Sequence, residues 1–108
     1  MIGKFSINIL LQSFNQADET PRDSFENKIV LYNFEEEINN KNLKELIYKS
    51  NYELPYTVAD ETVVYWKVVK IIDIFEIDSE MTFTNNTEVY SRFFIDQMER
   101  LNWKQYKN

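Results

Sequence analysis

Thr62-Val-Val-Tyr-Trp-Lys-Val-Val-Lys-Ile-Ile-Asp-Ile-Phe-Glu-Ile77 is the stretch that decides the fold. It is almost entirely β-branched, aromatic or aliphatic, and it has neither Gly nor Pro. That composition suits a strand buried on both faces better than an amphipathic helix. Val64, Trp66, Val68, Ile72 and Ile74 share one parity, and Val63, Tyr65, Val69, Ile71 and Phe75 share the other. Strands typically run about 3 to 10 residues. The run exceeds that, so a bend or bulge is expected around Lys70 to Asp73.

Upstream, Phe5, Ile7, Ile9 and Leu11 alternate with Ser6 and Asn8, the pattern of a half-buried first strand over Phe5 to Leu11. Asn15 to Asp23 is polar and holds Pro21, so it reads as a loop. Asn27 to Phe34 reads as the second strand of an antiparallel pair. Glu35-Glu36-Glu37 then opens a helix, because acids in a first turn oppose its positive end. Ile38, Leu43, Leu46 and Ile47 form its buried stripe, with Lys41, Lys44, Glu45 and Lys49 in water. Adjacent Asn39 and Asn40 weaken the first turn and move its true start toward residue 40. Asn51 to Asp60, with Pro55, is a connection with room for a short extended piece. Downstream, Asp78 to Thr87 is a polar turn region, Glu88 to Phe94 a last strand, and Ile95 to Tyr106 a terminal helix. The expected fold is α+β: an antiparallel sheet of about four strands, one helix on a face, and a C-terminal helix. Residues 1–108 form a single domain, with no internal repeat or linker.

Composition excludes more than it selects. With no cysteine and no histidine, thiol chemistry, zinc thiolates, imidazole bases and Ser-His dyads are all absent. The 18 acidic and 12 basic side chains leave a net charge of −6, which repels nucleic acid and favours a basic partner. No run approaches the roughly 20 apolar residues of a membrane helix. The N-terminus, where Lys4, Ser6 and Asn8 interrupt the apolar residues, is unlike a signal peptide. A cytoplasmic setting is therefore expected.

Val58-Ala59-Asp60-Glu61-Thr62-Val63-Val64-Tyr65-Trp66-Lys67-Val68-Val69-Lys70-Ile71-Ile72-Asp73, followed after a polar gap by Thr87-Glu88-Val89-Tyr90-Ser91-Arg92-Phe93, resembles the bacterial domain-of-unknown-function 4288 family. Its small members pair a Gly-Glu-Thr-Val-x-Trp-x-Val segment with a terminal Glu-Val-Tyr-Ser-Arg. Glu26-Asn27-Lys28-Ile29-Val30-Leu31 is similar to the family piece before a Glu-rich helix. The resemblance spans most of residues 4–94, with Glu88 to Arg92 and Trp66 its most specific parts. Asp60 stands where the family usually has Gly, and Phe5 alone stands for its usual aromatic pair. The resemblance implies a fold and a bacterial, cytosolic setting, and no activity.

Three clusters are candidate sites. In a regular strand Glu88, Tyr90 and Arg92 share a face, opposite Val89, Ser91 and Phe93. That face could clamp a carboxylate or phosphate through Arg92. A structural ion pair of Arg92 with Glu61 or Asp73, plus a bonded Tyr90 hydroxyl, is the preferred reading. Glu76, Asp78 and Glu80 alternate and, with Asp60, Glu61 and Asp73, make the segment Asp60 to Glu80 the best candidate for an acidic patch. A carboxylate metal site there is conceivable, but a solvated strand end is preferred. Glu35, Glu36 and Glu37 are the third cluster. Trp66 reads as core, and Trp103 and Tyr106 as a cap under the sheet.

The combination favours a non-catalytic binding protein without cofactor, of the bacterial immunity type. Such a protein neutralises a basic, nuclease-type toxin by steered association through Glu35 to Glu37 or Asp73 to Glu80. A small enzyme or ligand site around Glu88, Tyr90 and Arg92 is the alternative, with acid–base work left to Asp, Glu, Lys or Tyr. A third reading is a structural subunit, or a homodimer through an exposed sheet edge.

Overall fold

The computed structural model describes residues 1–78 and 80–95, and the expected helix from Ile95 to Tyr106, with Trp103, lies outside them apart from Ile95. Among these residues five strands and one helix follow in the order β1 (Gly3–Asn15), β2 (Pro21–Phe34), α1 (Asn40–Ser50), β3 (Glu53–Thr57), β4 (Val63–Glu76) and β5 (Thr87–Phe94). All pairings are antiparallel, in the sheet order β3-β4-β1-β2-β5. The sheet thus has five strands rather than about four. The extra one is the short extended piece around Pro55, which an edge position tolerates because one side needs no ladder bonds.

The decisive stretch is β4, paired to β1 along its length. Two residues fall out of the pairing: Asn8 faces Asp73 while Ile9 faces Ile71, and Leu10 faces Lys70 while Leu11 faces Val68. Ile72 and Val69 are therefore bulges, one of them inside the expected segment. They change the parity in between. Ile71 joins Val64, Trp66, Val68 and Ile74 on one face, and Lys70 turns to the other.

That face is concave. Trp66 on β4 and Phe93 on β5 are three strand spacings apart, roughly 14 Å on a flat sheet. Their rings meet edge-on with centroids 5.9 Å apart, so the sheet curls into a half-barrel. Phe5, Ile7, Ile9 and Leu11 of β1 and Val30, Tyr32 and Phe34 of β2 line the interior with Trp66 and Val68. Leu43 and Ile47, one helical turn apart, place α1 over this core, and Ile38 and Leu46 pack at its border. The convex face has a smaller cluster of Leu10, Phe25 and Phe94, flanked by Val69 and Ile72.

The helix does not begin with the three glutamates. Its first turn has no acid, and Asn39 caps it by accepting the Asn42 N–H at 2.8 Å. Asparagine at this position satisfies an orphan backbone donor, a local gain that outweighs the dipole preference of Glu35 to Glu37. Replacing Asn39 with alanine is expected to cost about 1 kcal/mol. Thermal melts should show it as a fall of roughly 4–8 °C, whereas Asn40→Ala, which keeps the cap, should produce none. At the other end Asn51 Nδ2 donates to Ile47 O at 2.9 Å. Nearby, the Tyr32 hydroxyl donates to Asn86 Oδ1 at 2.7 Å, and Asn86 donates on to Ser50 O. The helix end, β2 and the start of β5 are thereby joined. No helix among the described residues is long and apolar enough to cross a membrane.

Candidate binding site

Glu35, Glu36 and Glu37 form the lip of a groove between the end of β2, the start of α1 and the loop before β5. Its other walls are Asn33, Phe34, Ile38, Asn42, Phe83 and Asn85, and its volume is about 650 Å³. All three glutamates are exposed. Because they precede the helix rather than enter it, no intrahelical partner engages them. Glu37 meets the N-terminal ammonium of Met1, which also donates to Ile38 O. The loop wall is fixed by the Asn33 N–H, which donates to Asn85 Oδ1 at 2.7 Å, and by Lys4, which donates to Met81 O and lies 6.0 Å from the Phe83 ring centre. The groove is an acid-edged depression with Phe34 and Phe83 among its walls.

The second acidic cluster does not assemble. Asp73 lies opposite Asn8 on the convex face, while Glu76 lies opposite Phe5 on the other. Strand β4 ends there, and Asp78 turns back to accept the Glu80 N–H at 2.9 Å. No three acids among the described residues gather closely enough to hold a metal ion. Turn formation by Asp78 breaks the strand period on which the expected row depended.

The Glu88-Tyr90-Arg92 face is also divided. Ile29 pairs with Tyr90 but Val30 pairs with Glu88, so Val89 is a bulge. Glu88 therefore shares the concave face with Ser91 and Phe93. Tyr90 and Arg92 lie on the convex face, where the Arg92 guanidinium is 5.8 Å from the Phe94 ring centre. A single extra residue reverses every side chain beyond it, and that is why the polar trio expected from strict alternation is not one site.

What the curl gathers instead is Glu26, Lys28, Glu53 and Glu88, from β2, β3 and β5, on the concave side. Lys28 Nζ pairs with Glu88 Oε1 at 3.5 Å. Glu26 is only 4% exposed, and its Oε1 is buried without a hydrogen-bond partner. Burial raises its carboxyl above the ordinary range, Lys28 opposes that shift, and the charges of Glu53 and Glu88 add to it. Trp66 completes the wall by donating Nε1–H to the Tyr56 hydroxyl at 2.5 Å. The sequence reading starts the second strand at Asn27 and so misses Glu26. The available signal is the even parity from Glu26 to Phe34, which passes from charged to apolar halfway along one face.

Comparison with protein-family models, with curated proteins and with solved structures finds no match for this chain. The resemblance carried by Val58 to Asp73, Thr87 to Phe93 and Glu26 to Leu31 rests on those residues alone. By fold and site the described residues form a curled antiparallel half-barrel with one covering helix, an acid-edged groove toward the end of β2 and a buried charged cluster around Glu26.

Proposed function

We propose that the chain is a small, non-catalytic binding protein that takes a basic protein partner in the groove edged by Glu35, Glu36 and Glu37. The carrying observation is that groove: three exposed carboxylates on one lip, held by a capped helix and a pinned loop. The net charge of −6 extends its attraction for a basic surface. A bacterial, cytoplasmic immunity role, in which the partner is a basic, nuclease-type toxin blocked by contact, accords with these features and with the resemblance described above. A catalytic trio of Glu88, Tyr90 and Arg92 has less support, because the Val89 bulge divides it between two faces.

The test begins with the protein encoded beside this one, purified and titrated against it. Association should slow by about tenfold or more between low and high salt, as steered encounters do. The triple variant Glu35→Gln, Glu36→Gln, Glu37→Gln should lose most of that salt dependence. Binding that is indifferent to both salt and the triple variant would overturn the proposal.

A further inference from the structure

One end of the convex face is closed in a way the sheet alone does not provide. Phe25 is 1% exposed, Phe94 2% and Leu10 3%, with the Phe25 and Phe94 rings stacked at 5.5 Å between centroids. Beside them Asn8 and Asn27 are also buried, and Asn27 donates to Asn8 Oδ1 and Ile9 O. Farther along the same face Phe75 is 60% exposed and Tyr90 43%. Side chains stand roughly perpendicular to a sheet, so strand neighbours shield their flanks and leave their tips open unless a second layer lies over them. Helix α1 is not that layer, since Leu43 and Ile47 pack on the concave face. The convex cluster of Leu10, Phe25 and Phe94, with Val69 and Ile72 at its border, is drawn wholly from the sheet.

Outside the described residues the chain has residue 79, beyond the far end of β4, and residues 96–108. The latter leave β5 one residue past Phe94, itself a member of the cluster. Even at about 1.5 Å per residue, the rise of a helix, they outrun the roughly 14 Å of three strand spacings from β5 to β4. They carry Met98, Leu101 and Trp103, large apolar side chains to match the three beneath. We propose that residues 96–108 turn back over the convex face and cover Leu10, Phe25 and Phe94 with Met98, Leu101 and Trp103. The half-barrel is then a middle layer, with α1 over its hollow and this segment on its back. Asn27 already spends its amide donors on Asn8 and Ile9, so an apolar cover can close over that pair. The inference uses no residue of the groove edged by Glu35 to Glu37, so it stands or falls separately from the function proposed above.

The test uses the full chain. With no native cysteine, Lys70→Cys places a nitroxide at one exposed site on the convex face, opposite Leu10, and Lys44→Cys places it on the outer side of α1. The NMR signal of the Trp103 indole N–H, identified by its loss in Trp103→Phe, is compared with the nitroxide oxidised and reduced. Expected is loss of most of that signal from the Lys70 position and a much smaller loss from Lys44. No loss is expected when spin-labelled, unenriched chain is mixed with isotope-enriched chain that has no label. The double variant Met98→Ser, Leu101→Ser should restore the Trp103 signal beside the label at position 70, while the Trp66 indole in the reduced sample shows that the sheet is folded. An undiminished signal with the label at position 70, equal losses from both positions, or a folded double variant that loses the signal as before would overturn the proposal. So would loss in the mixed sample, which would make a second copy of the chain the cover.

Discussion

Replacing Ile47 with alanine is expected to lower the unfolding free energy by about 2–5 kcal/mol. Ile47 is fully buried against the concave face, and with Leu43 it is one of two buried residues in an 11-residue helix. Isolated helices shorter than roughly 12–15 residues are marginal in water. Docking is therefore what keeps α1 folded, and Ile47 is central to it. Its loss removes transfer energy and leaves a void that Phe34, Trp66 and their neighbours, held in a paired sheet, fill incompletely. The Asn51 clasp on Ile47 O and the Tyr32–Asn86–Ser50 chain hang from the same turn, so the helix end should loosen with it. Urea titration should show a lower midpoint, and Lys44→Ala on the exposed side of the same helix should change stability by less than about 0.5 kcal/mol. A loss below about 1 kcal/mol for Ile47→Ala would show that the helix is not anchored this way.

Glu26→Gln should act in the opposite direction and stabilise the protein at neutral pH by about 1–3 kcal/mol, the scale of an unsatisfied buried group. The amide keeps the shape and removes the buried charge. The pH dependence has a definite sign. The Glu26 carboxyl is raised above its ordinary value of 4.5 by burial, so the native state holds a proton more tightly than the unfolded chain does. The contribution of that proton is fully present below the ordinary value and is lost as pH rises through the elevated one. Wild type and variant should therefore coincide in acid and diverge upward, with the variant the more stable. Asp18 and Asp60 behave oppositely, since hydrogen bonds from Thr20 and Thr62 lower their carboxyls. Both proteins carry them, so their effect cancels in the difference. Melting curves from acid to neutral pH decide the matter: a constant difference, or a destabilised variant, would refute this account of Glu26.

Much of the fold was legible because β-strands display their burial in composition. The β-branched and aromatic run marks β4 as a strand, but burial on both faces is confined to Val64, Tyr65 and Trp66, where β3 also pairs with it; farther on Ile74 and Phe75 are exposed. Leu43 and Ile47 fit a helical stripe without ambiguity. Legibility failed where one residue outweighed a pattern. Asn39 and Asn40 pointed to a helix start near residue 40, where it lies, but the capping that sets Glu35 to Glu37 outside it outweighed their acidic pattern. Val89 bulges and divides Glu88 from Tyr90 and Arg92. Nothing in Glu88-Val89-Tyr90 marks the bulge, because a bulge is chosen by pairing with a partner strand remote in sequence. The cluster around Glu26 was hidden for a related reason. Its members come from three strands, and only the curl that brings Trp66 to Phe93 makes them neighbours.

Val69 and Ile72 give β4 two more residues than the length of β1 it lies against. Surplus contour on one of two joined ribbons must be taken up as arc, in the way a bimetallic strip bows. Excising both residues would leave each remaining side chain of β4 on the side it now occupies, Lys70 outward and Ile71 inward. The strand would straighten, and the rings of Trp66 and Phe93 would part. The unpaired residues Val69, Ile72 and Val89 thus belong to the form of the hollow as much as the side chains that line it.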